Sequence, residues 1–287
     1  MKANQVNLQQ HVEYLASISP PRNPGNVDSL NVTASYIYDQ WESHGLSPRY
    51  QSFQVQGTTY KNILMNYGPL HGTRIVIGAH YDVCGDTPGA DDDASGVAAL
   101  LELGRILQNE KPRLPFGIEM AAYTLEEPPF FGTADMGSHH HAQLLSETGV
   151  QVKLMINLEM LGYFTDEPES QEVPHGQEGI YPTVGNFILV VGAGGDPALT
   201  GRIHDELGRV CECPVQSIHF PYTDGLAGMS DQRNFWKFGF PAVMVSDSNF
   251  YRNPHYHKLS DTPETIDFVR MTQVVDGIYH LICQFRT

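Results

Sequence analysis

Five polar clusters stand at or just beyond apolar runs of this chain, and their residue types can hold a cation and move a proton. In Gly78-Ala79-His80-Tyr81-Asp82, His80 offers an imidazole nitrogen to a metal. Asp82 could accept the proton of the other ring nitrogen and set the tautomer. A hydrogen-bonded histidine with no ligand has the same signature. Asp91-Asp92-Asp93 precede Ala94-Ser95-Gly96 and a long apolar run. Three adjacent carboxylates repel one another, which a cation would relieve; helix capping by Asp93 or Ser95 is the structural alternative. The acids do not alternate through a twelve-residue loop, so an EF-hand is excluded. Glu126-Glu127 close another apolar run. Such a pair is a solvated boundary or, in a metal-dependent hydrolase, one carboxylate binds metal while its neighbour takes the proton of attacking water. Glu159 ends a further run in Asn157-Leu158-Glu159-Met160. The last cluster, from Asn253 to Thr262, carries His255, Tyr256 and His257. Its Asp261 and Thr262 could instead be the N-cap region of the final helix.

The elements between these clusters must bring them together. Helical spacing predicts helices over 6–18 and 29–44, the second presenting Leu30, Ala34, Ile37, Tyr38 and Trp41 on one face. Weak alternation about Gly57 predicts a hairpin over 49–68. Strands are expected at 74–80, 116–125, 152–158, 187–191, 215–219 and 241–246. Helices are expected at 94–107, 133–146, 197–208, 230–238 and 263–284, the last carrying Phe268, Met271, Val274, Val275, Ile278 and Leu281. Alternating strands and helices imply a three-layer α/β fold, a mostly parallel central sheet flanked by helices. One domain over 1–287 is expected, since no repeat or long linker interrupts the pattern. Residues 163–185 are acidic and rich in Glu, Pro and Gly, suited to a rim beside a site.

Composition removes several classes of function. Seventeen Lys and Arg against 33 Asp and Glu leave a formal charge of −16. That opposes general nucleic-acid binding and electrostatic docking on anionic membranes. No stretch is apolar for the roughly 18 residues of a membrane-spanning helix. The opening MKANQVNLQQHVEYLASI has no continuous apolar segment of a secretory leader, so a cytoplasmic location is expected. Cys84, Cys211, Cys213 and Cys283 form no CxxC pair and are expected to be free thiols. Asn31-Val32-Thr33 matches a glycosylation sequon, a short pattern that arises by chance. Ser95 lacks a GxSxG elbow and is not expected to act as a nucleophile.

Taken in order, HYD, DDDASG, the EE pair and YHKLSDT closely resemble the co-catalytic zinc aminopeptidase family, related to the secreted bacterial leucyl aminopeptidases and to glutaminyl cyclases. The resemblance runs from about His80 to Thr262 and implies a parallel-rich α/β fold binding two zinc ions, with manganese or cobalt as possible substitutes. It implies that His80 and Glu159 bind one zinc, Glu127 and His257 the other, and Asp92 both. It makes Glu126 the acid/base, sets Asp82 behind His80, and places the Tyr256 phenol where some members support the oxyanion. The implied reaction is hydrolysis of N-terminal peptide bonds by a metal-activated water. Its substrates would be peptides or amino-acid amides with a free N-terminus and an apolar first residue. Phe130, Phe131, Phe220, Tyr222 and Phe250 are candidates for an apolar wall.

Two departures stand out. Many relatives have Asp where this chain has Glu159, and His where it has Gln232 after Ser230-Asp231. The first adds a methylene to a ligand; the second removes a neighbour of the site and leaves Asp231 as an outer acceptor. Three other readings are a one-zinc glutaminyl cyclase, a carboxypeptidase relative, and a metal-stabilised binding protein without catalysis. Intact Asp92 and Glu126-Glu127 oppose the first, the missing basic cluster opposes the second, and Glu126 opposes the third.

Overall fold

The computed structural model describes residues 2–175 and 178–285. Its strands are β1 (Pro48–Val55), β2 (Thr58–Tyr67), β3 (Thr73–His80), β4 (Gly117–Tyr123), β5 (Gln151–Glu159), β6 (Ile188–Ala193), β7 (Val215–Phe220) and β8 (Ala242–Ser246). They form one sheet in the order β1-β2-β4-β3-β5-β8-β6-β7. The centre is parallel, β4 with β3, β3 with β5 and β5 with β8, and β6 pairs parallel with β7. The β1–β2 hairpin, its junction with β4, and the β6–β8 pair are antiparallel. The sheet is therefore mixed around a parallel core. In the hairpin, Gln56 and Gly57 both take positive φ, the turn whose twist matches the flanking strands.

The larger core lies between one sheet face and helices α1 (Gln5–Ala16), α2 (Val27–Ser43), α3 (Gly96–Glu110), α5 (Pro197–Gly208) and α7 (Phe268–Gln284). Alternation along β3 sends Ile75, Ile77 and Ala79 to this face and Val76 to the other. On that second face α4 (Gly137–Glu147) packs against α6 (Gln232–Lys237). The expected apolar stripe of α7 is buried at Met271, Val274, Val275, Ile278 and Leu281. No helix among the described residues is long and apolar enough to cross a membrane.

Several boundaries differ from expectation, each for a local reason. β4 stops at Tyr123, and Leu125 turns the chain with φ 61°. α4 begins at Gly137, where the amide donates to the Thr124 carbonyl. α7 begins at Phe268 because the Asp267 carboxylate caps it, accepting from the amides of Val269 and Arg270. Asp261 and Thr262 do not cap that helix. Pro263–Thr265 form a separate short turn.

The loop after β3 is held from behind by Arg22, which is 2% exposed. Its guanidinium donates to the carbonyls of Tyr81, Leu15, Pro88 and Gly89. Burial lowers its pKa to about 10, so it stays cationic at neutral pH beside Asp261, Asp92, Asp93 and Asp82. Arg22→Met should keep the side-chain volume but leave these carbonyls unpaired. The expected cost is about 2–4 kcal/mol, read as a lower denaturation midpoint in urea with an unchanged slope.

Candidate active site

The carboxyl ends of β3, β4, β5 and β8 share one edge, since these four strands run parallel. Open α/β sheets bind ligands at such an edge. Gly78 pairs with Asn157, so two residues further His80 and Glu159 leave the sheet level with each other. Glu126 and Glu127 follow the Leu125 turn, and the 253–261 loop after β8 returns His257 to the same edge. Leu125, Met160 and His257 all have φ between 53° and 61°, left-handed backbone that non-glycine residues adopt at a cost and that tends to mark functional sites.

Each acid of the Asp triplet has a separate task. Asp91 accepts from the Gly162 amide at 2.8 Å and the Asn253 side chain at 2.7 Å. Asp93 accepts from the amides of His80, Gly96 and Met160. Hydrogen bonds therefore satisfy both, and helix capping by Asp93 is real. Asp92 stands between two imidazoles: Oδ1 is 3.2 Å from His80 Nε2 and Oδ2 is 3.1 Å from His257 Nε2. The backbone makes this possible, because Asp92 and Asp93 leave helical dihedrals between Ala90 and α3. Asp261 accepts from the amides of Asp91 and Asp92 and anchors the turn.

The remaining acids close two groups around Asp92. Glu159 Oε2 lies 3.6 Å from His80 Nε2, so its extra methylene does not keep it from the cluster. It is steadied by the Ser230 hydroxyl at 2.5 Å and the Asn249 amide at 3.4 Å. Glu127 Oε1 lies 3.3 Å from His257 Nε2. Glu126 Oε2 is 3.9 Å from His80 Nε2. All these acids and His80 are buried, while His257 and Tyr256 are half-buried.

Asp82 sits differently from expectation. The Nδ1 of His80 faces the Asp82 backbone carbonyl at 3.1 Å, and the carboxylate is farther, at 3.7 Å. That carbonyl can set the tautomer, leaving Nε2 to face the acids. The Asp82 carboxylate instead accepts the amides of Glu126 and Glu127, both at 3.1 Å. Gln232 is also resolved. Its carbonyl accepts from Asn157, its amide donates to the Ala227 carbonyl, and Asn157 donates to Ser230. An amide thus supports the strut behind Glu159 from a position buried away from the cleft. His255 turns aside to Ser260 and does not join the group. Tyr256 lines the cleft and stacks on His257, with ring centroids 3.8 Å apart.

The electrostatics describe a site that needs positive charge. Burial pulls the His80 pKa down, but the charges of Glu159 and Glu126 outweigh it and raise it well above the ordinary imidazole value. Burial likewise opposes charge on His257, while Asp92 and Glu127 raise it to about 10. Burial and the Asp92 charge push Glu127 up to about 7. Burial lifts Glu126 well above the usual carboxylate range, with Glu127 and Glu159 adding to it. His80 Nε2 and Glu127 Oε1 are buried without a hydrogen bond. Two ligands of a tetrahedral zinc at about 2.0–2.2 Å stand roughly 3.3–3.6 Å apart, close to the spacings observed. His80, Asp92 and Glu159 converge as one potential metal group. His257 and Glu127 converge on the other side of Asp92. The residues present fit a pair of divalent cations sharing Asp92.

Residues 62–282 match the sequence profile of peptidase family M28. The chain belongs to this family. Its acid and imidazole cluster forms a metal-binding arrangement suited to two divalent ions, consistent with an aminopeptidase-type site of a metal-dependent peptidase. The uncharacterized protein YfbL of Escherichia coli K12 is 40% identical over 290 residues, covering 98% of this chain and 88% of its own. Leucine aminopeptidase 1 of Fusarium vanettenii is 28% identical over 211 residues, 69% of this chain and 48% of that protein. The chain thus spans about half the length of that relative. Among solved structures, the LapA aminopeptidase of Legionella pneumophila superposes with a TM-score of 0.79 at 21% identity, over 98% of this chain and 71% of that one. A glutaminyl cyclase of Bacteroides thetaiotaomicron superposes at 0.74 and 18% identity, over 100% and 99%. The fold is common to both, so the choice between their reactions rests on side chains.

The structure also adds residues that spacing did not reveal. Ser230 was visible only as part of a departing motif, and Asn249 carried no signal. Of the aromatic candidates, Phe131 lines the metal cleft, and Phe220 and Phe250 line an adjoining apolar pocket. Phe130 belongs to the core, and Tyr222 is exposed and lines neither.

Proposed function

We propose that this M28 chain is a two-zinc aminopeptidase that removes an apolar residue from a free N-terminus. The observation that carries the reading is Asp92, with one carboxylate oxygen toward each imidazole and Glu126 beside the pair. His80, Asp92 and Glu159 would hold one ion, and His257, Asp92 and Glu127 the other. When bound, the cations would polarise the scissile carbonyl and acidify the attacking water. Glu126 takes the proton of that water and returns it to the departing amine. Burial keeps the Tyr256 phenol protonated, so it can donate to the tetrahedral oxyanion. Asp82 acts by position, holding the two glutamate amides in place.

The apolar pocket supports the choice of substrate. Val191, Ile218, Phe220, Met229, Met244 and Phe250 are among its walls, and Met229 also lines the metal cleft. A side chain entering there leaves its amino group near the acids. Asn249, which touches Glu159, also lines the pocket. The rim expected at 163–185 contributes Gln171 to Pro174 and Tyr181. Arg252 holds it, donating to Gln171 at 2.7 Å and to the Phe187 carbonyl at 2.8 Å. Gly176 and Gln177 of that stretch lie outside the described residues.

The test compares leucyl and acetyl-leucyl substrates with one leaving group. Acetylation removes the ammonium charge and adds bulk, so kcat/KM should fall on the order of 10²–10³-fold. Equal rates would end the proposal of N-terminal recognition. A glutamyl substrate should also be poorer than the leucyl one because the described residues lining the pocket include no cationic side chain to pair with its carboxylate. An N-terminal glutaminyl peptide should be cleaved and not cyclised; pyroglutamyl product would turn the assignment toward the cyclase chemistry.

A further inference from the structure

The two halves of the metal cluster are not chemically alike. Cys84 Sγ, a Glu127 carboxylate oxygen and a His257 ring nitrogen all lie within 4.8 Å of one another. Among the described residues, no sulfur joins the corresponding group of His80, Asp92 and Glu159. We propose that Cys84 is a further metal ligand on the His257 side, making that position softer and tighter than its partner. This rests on the two-metal reading of the site.

The backbone holds the thiol in place. The Thr87 amide and hydroxyl both donate to the Cys84 carbonyl, at 3.3 and 2.9 Å, closing a turn about the cysteine. One residue earlier, the Val83 amide donates to the Arg22 carbonyl. Arg22 in turn grips the far end of the loop through Pro88 and Gly89. Two residues before Cys84, the Asp82 carboxylate binds the amides of Glu126 and Glu127. The loop that carries the sulfur is thus tied directly to the loop that carries Glu127. Gly89 completes the turn with φ 60°, where a Cβ would meet Val83 at 2.3 Å.

Ligand chemistry then separates the two positions. The His80 side offers one nitrogen and carboxylate oxygens, a set that zinc, manganese and cobalt accept. On the His257 side Cys84 adds a sulfur, which favours zinc, cobalt and cadmium over manganese or magnesium. Forming the sulfur–metal bond releases the thiol proton to solvent. Four protein donors also hold an ion more firmly than three. The predicted enzyme therefore fills its sulfur-bearing position first and exchanges ions more readily at the other.

Stepwise loading of the metal-free protein with cobalt(II) tests this without reference to turnover. Bound cobalt is counted by metal analysis, and sulfur-to-cobalt charge transfer is read in the near ultraviolet. Wild type should bind two ions, with the charge-transfer band developing over the first equivalent. Cys84→Ser should still bind two ions but show no band. Its affinity for cadmium at the first position should fall by at least the roughly 10–100-fold that loss of an outer support costs. Cys84→Ala provides a second route if serine disturbs the turn. Two bound cobalt ions without the band in wild type overturn the proposal and leave the dinuclear site standing. A band that persists in both variants assigns the sulfur to another cysteine and also overturns it. Failure of wild type to bind two ions removes the dinuclear reading and this proposal with it.

Discussion

Glu126→Gln should retain two metal ions and the fold while lowering kcat by about 10²–10⁴-fold, the range for a lost acid/base. The substitution is nearly isosteric. The main-chain contact that fixes residue 126 comes from Asp82 to its amide, which glutamine retains. The Glu126 side chain lines the cleft, 3.9 Å from His80 Nε2, and among the described residues no hydrogen bond to a neighbouring side chain holds it there. An amide in that place cannot accept the water proton. Glu127→Gln provides the contrast, since Glu127 faces His257 at 3.3 Å and its loss should weaken metal binding at the adjacent position. Metal content and steady-state kinetics on the same preparations separate the two. Near-normal turnover of metal-filled Glu126→Gln would remove Glu126 from the chemistry.

Asp92→Ala should weaken zinc binding at both positions and abolish activity, the His80 side losing its ion first because Cys84, Glu127 and His257 still face the other side. Each Asp92 oxygen faces a different imidazole, so one truncation takes a ligand from both positions. Glu159→Ala should instead spare the His257 side and leave about one ion. Metal analysis after equilibrium dialysis reads the difference. A zinc affinity on the His257 side as high in Asp92→Ala as in Glu159→Ala would show that Asp92 serves a single position. Secondary structure should survive, because Asp91, Asp93 and Asp261 keep the local backbone bonds.

The alternation of apolar strands with amphipathic helices was enough to read the layered α/β fold. Buried β3 and the stripe on α7 are patterns that only one environment satisfies. Pairing was less legible. The antiparallel place of β6 beside β8 follows from the path of the long connection after β5, which no local period encodes. Helix starts were misplaced at 133 and 263 because cap residues compete: Asp267, not Asp261 or Thr262, meets the free amides of α7.

At the site, the order of the motifs was enough to nominate His80, Asp92, Glu126, Glu127, Glu159 and His257, since metal chemistry restricts the residue types that can serve. Tertiary structure decided how identical neighbours differ. Asp91, Asp92 and Asp93 are chemically equal in the chain, yet only Asp92 is turned toward both imidazoles. Asp82 was legible as an acid near His80, but its bonds run to the amides of residues 126 and 127. Gln232 read as a departure at the edge of the site, and folding places it inside a strut through Asn157 and Ser230 to Glu159. Cys84 carried no motif at all; only the return of the 253–261 loop brings His257 beside it. The physical reason is the same in each case. Residue type limits which bonds a side chain can make, but the backbone amides and rings that compete for it come from strands and loops distant in the chain.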